Sequence, residues 1–78
     1  MDKMITRLSE LKPGQSAIIK EFTDNEIFLK LMEMGCLPGE SIVFEQKAPL
    51  GDPISVSVAG YRLSLRIEEA KHILVELI

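Results

Sequence analysis

From Ile54 to Ile67 apolar and polar side chains alternate on both sides of one glycine, and that pattern leaves few folds open. Ile54, Val56 and Val58 alternate with Ser55 and Ser57, while Tyr61, Leu63, Leu65 and Ile67 alternate with Arg62, Ser64 and Arg66. Successive side chains of a strand point to opposite faces, so the stretch reads as two half-buried antiparallel strands with one wet face. A two-residue loop at Gly60-Tyr61 would place glycine at the first central position of a II′ turn, with Val58 opposite Leu63 and Val56 opposite Leu65. Moving the loop to Ala59-Gly60 keeps the same faces inward.

Thr23 to Gly39 reads as an amphipathic helix with a sharp exit. Thr23 and Glu26 have the S/T-x-x-E spacing of a capping box, which predicts a helix starting near Asp24. Ile27, Leu31 and Met34 fall at i, i+4 and i+7 and form a stripe expected to face the core, with Glu26, Lys30 and Glu33 on the other side. Gly35 suits a left-handed helix end, and Pro38 lacks the N–H needed to continue the helix. Phe28, Leu29 and Met32 widen the apolar arc beyond what a small sheet needs to cover it.

Around these two elements the chain is short. Leu8 and Leu11, three apart and stopped by Pro13-Gly14, predict a single helical turn that plugs one end of the core. Ser16 to Phe22 reads as the first strand and Ser41 to Glu45 as the second, which ends at Ala48-Pro49. Gly51-Asp52-Pro53 is a turn in an exposed loop with Leu50 at its tip. Glu68 to Lys71 reads as one helical turn, and His72 to Leu77 as a last strand. The expected fold is therefore mainly β: a small open barrel of about five strands with one α-helix inserted after the first.

With 78 residues the chain is expected to form a single domain, 1–78, near the size at which one core is only just adequate. Hydrophobic residues make up 46% and aromatics 5%, so aliphatic side chains must build that core. Cys36 is the only cysteine, which excludes an intrachain disulfide and fits a reducing, cytoplasmic setting. No apolar run approaches the roughly 20 residues of a membrane-spanning helix, so no direct membrane insertion is expected. A net charge of −3 with scattered lysines and arginines argues against a grip on nucleic acid.

Four blocks then stand in order: L-x-x-L-x-P-G (Leu8 to Gly14), L-x-E-M-G-x-x-P-G (Leu31 to Gly39), A-P-L-G-D-P-I (Ala48 to Ile54) and L-x-L-R-x-x-E-A-x-x-I-x-V (Leu63 to Val75). Over nearly its whole length this sequence resembles the FeoA family, small SH3-like cytoplasmic proteins of bacterial ferrous iron uptake. The resemblance implies an SH3-like barrel with a helix after its first strand, and a partnership with FeoB, a membrane permease whose cytosolic part is a GTPase. The same barrel resembles the C-terminal domain of DtxR-type iron-dependent repressors, although 78 residues leave no room for a winged helix.

Candidate chemistry is sparse. Cys36 beside Met32, Met34 and Glu33 suggests a soft metal site, but ferrous sites are usually imidazole and carboxylate, and a buried structural cysteine accounts for it as well. Glu68 and His72 stand at i, i+4 and with Glu69 could hold a divalent ion weakly, against the plainer reading of a histidine paired with an acid. No nucleophile elbow and no phosphate-cradling glycine loop is present, so neither an enzyme nor a cofactor is expected. Arg62, Arg66 and Lys47 could share the wet face of the sheet, but without an aromatic platform and with Glu45 expected nearby they read as solvated charge.

Two functions compete. The first is an accessory module that docks on the cytosolic region of a FeoB-like membrane GTPase through Phe28, Leu29 and Met32, with Leu50 as a further exposed apolar residue, and modulates ferrous iron uptake. The second is a regulatory barrel that responds directly to a divalent metal. The uncovered helix face would also suit self-association.

Overall fold

A computed structural model describes residues 4–78. Six strands form one antiparallel sheet: β1 (Ile5–Arg7), β2 (Ser16–Phe22), β3 (Ser41–Lys47), β4 (Ile54–Val58), β5 (Tyr61–Leu65) and β6 (Ile73–Leu77), in the spatial order β1-β6-β2-β3-β4-β5. Two helices interrupt them, α1 (Asn25–Met32) after β2 and α2 (Ile67–Ala70) before β6, and a 3-10 turn covers Leu8–Glu10. The fold is mainly β and the sheet is not closed, because β1 and β5 are its two terminal strands.

Period-2 patterning places the core. Ala17 and Ile19 of β2, Ile42 and Phe44 of β3, Ile54, Val56 and Val58 of β4, and Ile73 and Val75 of β6 are all buried on one face. Register shifts between Ile19 and Glu21 and between Phe44 and Gln46 mark irregularities of the kind that bend and twist strands, and such bends curl a sheet around its apolar face. Leu8 and Leu11 are both buried, and the 3-10 turn that carries Leu8 packs against β6 and α2.

The strand count differs from expectation by one. β1 lies in a stretch broken by charge and is only three residues long; its place comes from pairing with β6 (Ile5↔Glu76, Arg7↔Leu74), a partner about seventy residues away that no local pattern announces. Ser16–Phe22 is thus the second strand, and α1 follows the second.

The hairpin also resolves differently. The register is Val58↔Tyr61, Val56↔Leu63 and Ile54↔Leu65, so the loop is Ala59-Gly60 and the II′ turn at Gly60-Tyr61 does not form. Ala59 (φ 51°) and Gly60 (φ 82°) both have positive φ, the signature of a type I′ turn, whose twist matches that of the flanking strands. The last alternating residue, Ile67, is not in β5 but opens α2.

α1 starts one residue later than the capping-box spacing implied. Asp24 is the N-cap, its Oδ1 accepting from the Ile27 N–H at 3.0 Å. Thr23 turns away instead: its N–H donates to the His72 carbonyl at 2.8 Å, and its Oγ1 lies 3.0 Å from His72 Nδ1. A backbone partner just before β6 has outcompeted the local cap.

Candidate functional site

The exit of α1 decides which of its apolar side chains meet solvent. Cys36 N–H donates to Leu31 O and Gly35 N–H to Met32 O, both at 3.0 Å, with Gly35 at φ 86°. This pair of bonds is a Schellman motif, which requires the left-handed residue that glycine supplies. The chain therefore reverses after Met32. Cys36 turns inward to pack in the core with Leu31, and Met34 is thrown outward.

Met34 therefore corrects the expected core stripe. Ile27 packs against the core and Leu31 is buried, but Met34 is 36% exposed because the 100° step per residue stops when the helix does. The outer arc also divides. Phe28 is half-buried, its ring 5.3 Å from that of Phe22 at 54°, while Leu29 is 55% and Met32 39% exposed.

Gly35 lies against the β4–β5 turn, where a Cβ in its place would stand 3.7 Å from the Ala59 Cβ. Between the α1 exit and β5 opens a cleft of about 520 Å³ lined by Met32, Glu33, Met34, Gly35, Tyr61 and Leu63. Met34 and Tyr61 were missed as surface residues by sequence reasoning, while Leu63 packs partly against the core as expected and still lines the cleft.

Leu50 is 97% exposed at the tip of the β3–β4 loop. That loop is fastened by Ala48 N–H to Pro53 O at 3.0 Å and Gly51 N–H to Ala48 O at 2.7 Å, and includes a cis Asp52–Pro53 bond. Asp52 Oδ1 accepts from the Ile67 N–H of α2 at 3.0 Å. Two residues further along α2, Glu69 forms an ion pair with Lys30 of α1. α2 is thus tied to the Leu50 loop on one side and to α1 on the other. The Lys30 ammonium, followed by the Arg66 N–H, holds the Glu69 carboxyl below its ordinary range.

The metal candidates are not brought together. Cys36 is in the core, where burial and then the nearby Glu40 charge push its thiol up, away from the thiolate a metal would bind. Glu68 pairs with Lys71 at 2.6 Å, whereas His72 Nδ1 is engaged by Thr23. The shallow cleft at His72 is lined by Arg7, Thr23, Lys71 and Leu74, an unfavourable setting for a cation. Among the described residues no group of three or more His, Cys, Asp or Glu could hold a metal. On the wet face Glu45 lies 3.6 Å from Arg62 and accepts from Ser57 Oγ at 2.6 Å. No helix of the described residues is long and apolar enough to cross a membrane.

The FeoA domain family model matches residues 6–77, and the chain belongs to that family. It is 44% identical over 73 residues to the Fe(2+) transport protein A/Fe(2+) transporter FeoB fusion protein of Porphyromonas gingivalis; the match covers 92% of this chain and 9% of the fusion protein. Among solved structures it is similar to the FeoA-like protein of Clostridium acetobutylicum (TM-score 0.89, 39% identity, 100% of this chain and 91% of that one). It is also similar to the Stenotrophomonas maltophilia FeoA complexed with zinc, described as a procaryotic SH3 domain protein (TM-score 0.79, 36% identity, 90% and 88%). The fold is thus SH3-like. It extends to the T. acidophilum IdeR at TM-score 0.83, where 24% identity supports likeness of fold alone and the match covers all of this chain and 36% of that one.

Proposed function

We propose that this FeoA-family chain is a docking module of ferrous iron uptake, binding the cytosolic region of a FeoB-like membrane GTPase and modulating transport. The observation that carries the reading is the exposed apolar pair Leu29 and Met32 on a helix whose remaining apolar residues pack inward, continued across the α1 exit by Met34 and Tyr61. Contiguous apolar surface on a small protein tends to mark an interaction site. The Porphyromonas gingivalis fusion supports the choice of partner, because there a homologous segment shares one polypeptide with the transporter.

Phe28 contributes through packing rather than direct contact, and Leu50, on its fastened loop, is a second anchor. Docking needs no catalytic group, so the module is a binder and not an enzyme, and it works on the cytosolic side of the membrane. The competing metal-responsive reading draws on the zinc-bound relative, but in this chain Cys36 is buried in the core, Glu68 pairs with Lys71 and His72 with Thr23. The test is association of the purified protein with the permease's cytosolic region, together with iron-dependent growth, for the parent and for Leu29→Glu and Leu50→Glu. Variants that melt like the parent but lose binding and growth support the reading. Parent-like binding by both places the contact elsewhere.

A further inference from the structure

We propose that the β5 edge and the neighbouring methionine cleft receive an extended strand of the protein partner, one that is apolar at alternate positions and carries lysine or arginine beside them. This deepens the docking reading and rests on it.

Three observations converge. First, β5 ends the sheet, so among the described residues one side of it has no strand neighbour. The two-residue turn makes Val58 and Tyr61 a hydrogen-bonded pair; alternation then puts Ser57–Arg62 and Ser55–Ser64 in the non-bonded class. The backbone N–H and C=O of Arg62 and Ser64 therefore point away from β4, and both residues are exposed. They form a template for one more strand.

Second, the cleft lies beside that template on the face of Tyr61 and Leu63. Every second side chain of an added strand would lie on this face, next to Met32 and Met34. Thioether side chains are flexible and polarizable, which suits them to accept varied apolar residues.

Third, the cleft and the helix beside it carry unpaired carboxylates. Glu26 in the first turn of α1 and Glu33 just past its last residue have no ion-pair partner among the described residues, whereas Lys30 between them is engaged by Glu69. Glu33 itself lines the cleft. An apolar strip edged by uncompensated carboxylates complements a partner with basic residues flanking its apolar anchors, and two copies of this chain would instead bring like charges together.

The test measures binding of the full chain to the purified cytosolic region of its FeoB-like permease, with amide hydrogen exchange in the free and bound states. Ser64→Pro removes the outward N–H without touching the β4 ladder, a position where an edge strand tolerates proline. Met34→Glu spoils the cleft, and Glu33→Lys reverses the rim. Ser64→Pro and Met34→Glu should each weaken binding about tenfold or more, and Glu33→Lys should also flatten its salt dependence. In the parent complex the Arg62 and Ser64 amides should gain protection, a readout that holds even if Ser64→Pro fails to fold. Binding within about twofold of the parent for Met34→Glu, with unprotected edge amides, overturns the strand proposal; loss of binding by Leu29→Glu would then still sustain docking. A parent that forms no complex removes both. A parent dimer abolished by Ser64→Pro makes the edge a seam between copies and overturns the proposal as well.

Discussion

Asp52 Oδ1 accepts the Ile67 backbone N–H at 3.0 Å, so the loop that holds up the almost fully exposed Leu50 is fastened to the first residue of α2. An exposed leucine on a free loop would lose considerable conformational freedom on binding, and a loop already ordered by its own hydrogen bonds lowers that cost. Asp52→Ala should therefore cost about 0.5 to 2 kcal/mol of stability, as loss of a helix-capping side chain does, and should speed amide exchange over residues 48–53. Parent-like stability and exchange would show that the backbone bonds alone order the loop.

Leu31 is the most deeply placed side chain of α1 and is fully buried. Leu31→Ala should destabilise the fold by about 2 to 5 kcal/mol in chemical denaturation, a large fraction of the stability of so small a domain. Met34→Ala, by contrast, should shift the midpoint little, because Met34 stands at the rim of the cleft. Equal losses would mean that the helix continues past Met32 in solution.

Phe28 and Leu29 are adjacent but should separate in experiment. Phe28→Glu disrupts the ring contact with Phe22 and should lower the melting temperature, whereas Leu29→Glu should melt like the parent and lose permease binding. Thermal melts run beside binding titrations distinguish the two. The reverse pattern would mean that α1 is rotated about its axis.

Glu69 gives a pH dependence of known sign. Its folded pKa is lowered, chiefly by the Lys30 hydrogen bond, so its contribution is fully present above the ordinary carboxylate pKa and is lost as pH falls through the lower folded value. The parent should therefore lose stability on acidification below about pH 4.5 more steeply than Glu69→Gln, which has no proton to take up there. Denaturation midpoints across pH 3 to 7 (about that span) measure it. Parallel curves would mean that the ion pair is solvated and contributes little, as exposed pairs often do.

Cys36 should be chemically quiet. Burial pushes its thiol above the ordinary value, so native protein should react with a thiol reagent at neutral pH far more slowly than unfolded protein does. Rapid native modification would mean that the α1 exit opens readily.

The sequence by itself determined the elements that rest on local rules. Alternation from Ile54 to Leu65 set the hairpin and its inward face, and the Leu8 and Leu11 spacing set the short turn between them. Gly35 marked the end of α1, because few other residues accept its backbone angle. Tertiary structure decided whatever depends on a partner far along the chain. β1 exists because β6 is there to pair with it, and Thr23 gave up the helix cap because His72 offered it a backbone acceptor. Met34 moved from core to cleft because the helix ended two residues sooner than its apolar period suggested. The same separation holds for the site. Leu29, Met32 and Leu50 were legible as surplus apolar residues, since a small core cannot cover them all. The Met34, Tyr61 and Leu63 side of the cleft was not, because α1 and β5 meet there only once the sheet has curled and left β5 at its edge.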